Sequence, residues 1–474
     1  MTAIAEGQMR EATASRQPEL KRVMGPWLLL LFIVGDILGT GIYALTGQVA
    51  KQVGGVVWLP FLIAFAVALM TAFSYLELVT KYPRAAGAAL YTHRAFGIHF
   101  FTFIVAFAVM CSGITSASTA SRAFAANFSQ AFDLNLAGTI GVTLIGLAFM
   151  AIVAAINFRG VGESLVANVV LTCIELTGLL IIIVIGLWAI GLGQGDVSRA
   201  LEFRTSPETS FVWPVIAATT LAFFAMVGFE DSVNMAEETK DPVRTFPRML
   251  LLGLLFTAAI YMLVSIAAVT LVPPAELSVG ETPLLKVVAA GAPSFPIWIF
   301  GFITMFAVAN TALINMLMAS RLVYGMSREH VLPAALGKVH ATRRTPYVAI
   351  GFTTLLAFAL ITFVGEIPAL GGTTALLLLC VFTVVNVAVL VLRKDRVEHK
   401  HFRTPTIVPV LGALSCAFLV GPWTGRDPAQ YRIAGILLAI GLVLWVVTVL
   451  INRATGVKPA DPLMEDIGGQ GPQN

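Results

Sequence analysis

Residues 28–47 read LLLLFIVGDILGTGIYALTG. A run this long with a single charge can cross the hydrocarbon core of a bilayer as a helix. Yet Gly35, Gly39 and Gly41 fall near its middle, and glycine costs about 1 kcal/mol relative to alanine inside a helix. The Gly-Thr-Gly run therefore predicts an unwound stretch around residues 39–43. Lipid cannot satisfy the backbone N–H and C=O groups that unwinding bares, so they must line a cavity or meet a ligand. The alternative is close helix packing through small residues, for which Gly35 and Gly39 have the spacing.

The whole chain is of this kind. Of its 474 residues, 58% are apolar and 12% charged, with a mean hydropathy of +0.87. A soluble domain carries about a quarter charged residues, so a soluble protein is excluded. Twelve candidate spans follow, at 26–48, 57–80, 96–121, 137–157, 166–193, 212–236, 247–272, 295–320, 347–364, 372–392, 406–421 and 432–452. The eleventh is the weakest, being short and containing Pro409. The runs are continuous rather than alternating over about ten residues, which selects helices over a β-barrel. The expected fold is an all-α integral membrane protein of about twelve helices.

Basic residues set the orientation. With the amino terminus inside, 23 of the 30 Lys and Arg fall on the cytoplasmic side. The other seven, Lys51, Arg122, Arg199, Arg204, Lys286, Arg426 and Arg432, fall outside, and none lies within a span. This matches the positive-inside rule and puts both termini in the cytoplasm. Basic loops facing anionic lipid account for the net charge of +4 without nucleic acid. No small-residue cleavage site follows the first polar residues, so a removable signal peptide is not expected. Cys111, Cys173, Cys380 and Cys416 are scattered, with no zinc-type spacing.

Five acids remain within or at the edges of spans: Asp36, Glu77, Glu175, Glu230 and Asp231. Ionisable groups at membrane depth usually face a bundle interior or a watery cavity. Glu77, Glu230 and Asp231 lie close enough to span ends to reach water or loop cations instead. In the sixth span, residues 219–231 read TTLAFFAMVGFED, with Gly228 ahead of two acids. Two interrupted spans, each starting a five-helix half, point to an inverted-repeat transporter.

Four strings make the chain recognisable: GDILGTGIYALTG (35–47), SYLELVTKYPRAAGAALYTHRAFG (74–97), FFAMVGFEDSVNMAEETKDPVRTFPR (223–248) and LINMLMASRLVYGMSREHVLP (313–333). In these the chain resembles the amino acid–polyamine–organocation family of permeases, in its amino-acid and cationic-amino-acid branch. The likeness covers roughly residues 20–395. It implies a LeuT-type fold. A cytoplasmic tail (1–25) would precede two inverted five-helix repeats (26–193 and 212–392), with two further helices (406–452) and a second tail (453–474) following.

The resemblance places the substrate between the unwound parts of the first and sixth spans. Gly39, Thr40 and Gly41 would form the carboxylate-binding turn, with Ile37 supplying a carbonyl. Phe224, Ala225 and Val227 would offer carbonyls to the amino group, Phe224 also covering the substrate as an aromatic gate. The physics agrees: free N–H groups at a half-helix start attract a carboxylate, and carbonyls ending one attract an ammonium. Asp36, Glu230 or Asp231 could serve a cationic side chain. Asp36, one turn before Thr40, would share its face. The charged loop at Glu237, Glu238, Lys240, Asp241 and Arg244 would help close an inner gate, with the 81–95 loop.

The coupling candidates are Asp36, Glu175 and Glu230. Glu175 stands within ANVVLTCIELTGLLIII (167–183), deep in an apolar span, where the resemblance leads one to expect lysine. Burial disfavours a charged carboxylate, so the expected role is uptake and release of one proton per cycle. The rival is a carboxylate that stays charged and binds sodium or a cationic side chain; the simplest option is a permanently neutral acid bonded to a neighbouring helix. No GxxxxGK[ST] loop, HExxH pair or GxSxG turn occurs, which disfavours a pump or intramembrane enzyme. The expected function is secondary active transport of amino acids by proton symport or exchange, in the plasma membrane. The expected partners are the amino acid and membrane lipids, without a cofactor. A sodium-coupled amino acid or polyamine carrier of the same fold and a membrane amino acid sensor are the alternatives.

Overall fold

A computed structural model describes residues 22, 24–83, 87–134, 139–159, 164–203 and 210–456. Most of both tails lies outside these residues, as do Arg204 and Ser206. Among the described residues the chain is all α-helix, with short 3-10 turns. Ten helical segments are long and apolar enough to cross a membrane, and two shorter apolar helices, Tyr347–Phe363 and Ile407–Val420, complete the twelve. The protein is an all-α multi-pass membrane protein.

The first span is broken in two, α1 (Pro26–Ile37) and α2 (Thr40–Val53). Proline opens α1, where its missing N–H costs nothing. Next come α3 (Trp58–Lys81), α4 (Gly87–Phe96), α5 (His99–Ala131), α6 (Thr139–Arg159) and α7 (Ser164–Gly191). The sixth span opens as α8 (Val212–Ala222), tightens to a 3-10 turn over Phe223–Met226, breaks at Val227 and Gly228, and resumes as a second turn, Asp231–Met235. The remaining helices are α9 (Pro242–Leu271), α10 (Pro274–Leu277), α11 (Pro283–Gly291), α12 (Ile297–Arg328), α13 (Tyr347–Phe363), α14 (Ile367–Leu392), α15 (Ile407–Val420) and α16 (Pro428–Thr455).

The broken spans are among the most buried. The first is 78% buried over its apolar stretch and the sixth 67%, whereas the fourth and last are each 28% buried. Those two expose Ile140, Leu144, Ile436 and Val443, an apolar rim that suits lipid rather than water. Inside, α5 packs along α12, α1 lies against α7 and α9, and α2 against α8.

Four expectations need correction. The first break is narrower than residues 39–43: Leu38 N–H still bonds the Val34 carbonyl (2.8 Å) and helix resumes at Thr40. Because the chain leaves the helix between them, Asp36 and Thr40 do not share a helical face. Arg122 is no loop residue either. It lies within α5, 6% exposed, donating to Thr143 (2.9 Å) and facing Glu281 at 3.8 Å. A cation that finds a hydroxyl and a carboxylate is tolerated inside a bundle. The 81–95 segment contains the helix α4, and residues 274–291 hold α10 and α11.

Candidate functional site

The site begins with two breaks pressed together. A Cβ placed on Gly228 would fall 2.5 Å from the Asp36 carbonyl oxygen, and φ at Gly228 is +124°. Only glycine takes that backbone without strain. At the other break Gly39 is extended, and no side chain caps the start of α2. The first N–H groups of α2 therefore lack helical partners.

These breaks line one cavity of about 620 Å³, within the range of small-molecule sites. Ile37, Gly39, Thr40, Gly41, Phe224 and Val227 all lie on its wall, as do Asp36, Glu230 and Asp231. Ala225 does not; it packs behind the wall against Gly41. The Ile37 carbonyl accepts a hydrogen bond from Tyr261 (2.6 Å), which spends one of its two lone pairs. The Thr40 hydroxyl is buried without a protein partner. Phe224 is 5% exposed and lies against Gly371 of α14.

The acids divide by surroundings. Asp36 Oδ2 is buried without a partner, while Glu230 Oε2 accepts the Gly228 N–H (2.8 Å). Glu77 is a structural acid: Arg393 grips it with two bonds (2.9 and 2.8 Å), and the Thr404 N–H adds a third (2.9 Å). Its carboxylate meets a loop cation, as its place near a span end allowed. Glu175 is fully buried, both carboxyl oxygens lack a protein partner, and it is not on the cavity wall. Tyr43 donates to its backbone carbonyl (2.8 Å), which fixes it at the level of α2.

The cavity runs from the breaks to His93 and His99, and to Glu237, Glu238, Arg321 and Glu329. Its mouth thus lies among the segments after spans two, six and eight. There Met24 N–H bonds the Glu238 carbonyl and Lys240 N–H the Met24 carbonyl, both at 2.9 Å. This clasp ties the start of α1 to the loop before α9.

Several wall residues escaped the sequence reading, among them Ser112, Ser116, Thr311, Asn315 and Thr374. For Ser112 and Ser116 the run CSGITSASTASRA (111–123) is the signal, since small polar side chains crowded on one span let helices approach and leave hydroxyls toward a cavity.

The family described as amino acid permease matches residues 24–451. The branched-chain amino acid permease BcaP of Bacillus subtilis is 27% identical over 431 residues, covering 86% of this chain and 90% of the relative. The methylthioribose transporter of the same organism is 27% identical over 454 residues, with 91% and 92% covered. The chloroplastic cationic amino acid transporter 9 of Arabidopsis thaliana is 26% identical over 341 residues, covering 68% of this chain and 58% of the relative.

Proposed function

The chain belongs to the amino acid permease family, and from that premise we propose that it is a secondary active transporter moving amino acids by alternating access. It is a permease rather than an enzyme. One observation carries the site reading: two helix breaks meet on the wall of one cavity, one presenting unpartnered N–H groups and the other a 3-10 stretch. An α-amino acid carries a carboxylate and an ammonium on one carbon. Its carboxylate fits the N–H groups at Gly39, Thr40 and Gly41, where the half-helix dipole is positive. Its ammonium fits carbonyls of the second break, at Phe224 and Val227, the two of the three expected residues that line the cavity. Asp36, Glu230 and Asp231 on the same wall favour a cationic side chain.

The two breaks open halves of five helices each, residues 26–193 and 212–392, which we read as inverted repeats, with α15 and α16 as additions. The basic-residue asymmetry supports cytoplasmic termini in a plasma membrane, with the mouth among Glu237, Arg321 and Glu329 facing inward. On this reading the chain is in an inward-facing shape.

Glu175 is the proposed coupling residue, its charged carboxylate taking up a proton to become neutral and its neutral form releasing that proton. Thermal shifts over the twenty amino acids and common polyamines identify the substrate. Uptake into liposomes holding the purified chain then tests the coupling. A pH gradient should drive uptake in the wild type and fail in Glu175→Gln. Uptake that follows sodium and ignores pH replaces the proton by sodium, and binding without uptake replaces the carrier by a sensor.

A further inference from the structure

Asn168, Thr172 and Glu175 stand at i, i+4 and i+7 on α7, hence on one face. All three are buried, at 5%, 0% and 0% exposure. The amide oxygen and nitrogen of Asn168, the Thr172 hydroxyl and both Glu175 carboxyl oxygens have no protein hydrogen-bond partner. Buried polar atoms are almost always satisfied, and where the protein supplies no partner, ordered water does.

The face points at α1. Thr172 occupies the space where a Cβ on Gly35 would sit, so only glycine lets α1 pass this close. From Asn168 to Glu175 the face climbs about 10 Å, at 1.5 Å per residue. Beyond Glu175 the same face offers, among the described residues, no unpartnered polar group: Gly178 meets Ile303 and the Tyr43 hydroxyl, which already donates to the Glu175 backbone carbonyl, and Leu179 and Ile182 are fully buried. Unpartnered polar character therefore runs from Glu175 toward the beginning of α7 and stops in the other direction. Seven residues past Ile303, on the side of α12 that meets α7, Asn310 is buried with its amide nitrogen unpartnered. None of Asn168, Thr172 and Glu175 lines the substrate cavity.

We propose that Asn168, Thr172 and Glu175 form a hydrated file through which the Glu175 carboxyl exchanges its proton with the side where α7 begins, apart from the substrate cavity. The step is a proton transfer alone. A hydronium at the mouth of the file releases a proton, one O–H bond forms on the Glu175 carboxylate, and the reverse returns that proton to water. The ionisable groups around Glu175 are Asp36 of α1, Tyr43 of α2 and Tyr261 of α9. α12 adds Ile303 and the amide of Asn310. This inference rests on the coupling role of Glu175.

Infrared spectroscopy of the full chain in liposomes tests it without a substrate. The Glu175 carboxyl is identified as the C=O stretching band that Glu175→Gln removes, and its shift on transfer to D2O times the exchange. Thr172→Val and Asn168→Leu should each slow that exchange by about tenfold or more. Thr172→Ser, which keeps the hydroxyl, should restore the rate, and Ile182→Val, on the apolar side of Glu175, should leave it unchanged. Unslowed exchange in both polar-to-apolar variants overturns the file, as does equal slowing in Ile182→Val. A carboxyl that shows no neutral band at any pH tolerated by the protein overturns the coupling role itself, a result distinct from a dry file.

Discussion

Gly41 and Ala225 bring the two helix breaks into backbone contact: a Cβ on Gly41 would lie 2.5 Å from the Ala225 Cα. No side chain fits between them. The site's two halves are thus held in register by the absence of a side chain at one position, and the binding geometry inherits that constraint.

Gly41→Ala should therefore push the breaks apart. Overpacking in a tight core costs about 1–3 kcal/mol. Here the strain falls on backbone that would hold the amino acid, so affinity should drop more than stability. Ligand-induced thermal shift should vanish in this variant while its ligand-free melting temperature falls by a few degrees. An unchanged ligand shift would mean that the substrate binds elsewhere in the cavity.

Phe224→Ala should impair transport by uncovering the site, since Phe224 lies on the cavity wall against Gly371. Thr40→Val should weaken binding, because the Thr40 hydroxyl is buried and has no other protein partner. The lost hydrogen bond is worth about 1 kcal/mol, or several-fold in affinity. Both variants are to be compared with wild type by initial uptake rates at matched expression; normal kinetics in the pair would remove these residues from the site.

Much of this was legible in the sequence, for physical reasons that also mark where legibility stopped. A break at Gly39 is readable because glycine and apolar length conflict within a few residues. Its width was not, because whether Leu38 N–H keeps its bond to Val34 depends on what packs nearby. Tyr261 reaches Ile37 from 224 residues away, a distance no local pattern encodes. Arg122 was misplaced because a lone cation is incompatible with a span unless it has partners, and those, Thr143 and Glu281, are distant in sequence. The short helices α10 and α11 fall between spans, where hydropathy carries little signal.

Glu77 and Arg393 make the stability prediction. Their side chains are 3% and 14% exposed and bond at 2.8 Å. Removing one partner of a buried pair leaves the other uncompensated, at about 3 kcal/mol. Arg393→Ala should be the more damaging, since it strands the better buried carboxylate, and Glu77→Gln the mildest of the exchanges. Thermal unfolding in detergent checks the order. Well-folded Glu77→Gln should keep any dependence on a pH gradient, which separates this acid from Glu175, the proposed coupling residue.

The proposed orientation calls for exposed reporters. Ser327 is a poor one, being 2% exposed with its hydroxyl bonded to the Pro333 carbonyl (2.8 Å), and Ser206 lies outside the described residues. Thr342 and Gln194 are exposed and flank opposite ends of the spans. Single cysteines there, in a background lacking the four native ones, should label from opposite sides, Gln194→Cys from outside intact cells and Thr342→Cys only after permeabilisation. Labelling of both from outside would sink the topology.

On the side away from the cavity mouth, the segment carrying α10 and α11 closes over α2. The Leu277 carbonyl fills the space beside Gly47, and Thr282 bonds Gln130. Glu281 faces Arg122 at 3.8 Å, beside a second hollow of about 230 Å³ that it lines with Gln48 and Glu366. An ion pair this long, with Glu281 34% exposed, holds by less than about 1 kcal/mol. Burial pushes the Glu281 carboxyl above its ordinary range, Arg122 pulls it partly back, and Glu366 adds to the rise. The closed segment thus binds a proton more readily than an open one in which Glu281 meets water. Closure is therefore favoured below the ordinary carboxylate range and weakens as pH rises through the raised value. A thiol at Gln48→Cys reports this. Its modification by an impermeant reagent should quicken with pH beyond what thiol ionisation alone accounts for, judged against Gln194→Cys. Glu281→Gln, a fixed neutral group, should stay slow on that scale. Arg122→Ala should quicken it further at alkaline pH, where a charged Glu281 has lost its counter-ion. A wild-type rate that tracks Gln194→Cys at every pH would leave Glu281 with no part in closing this side.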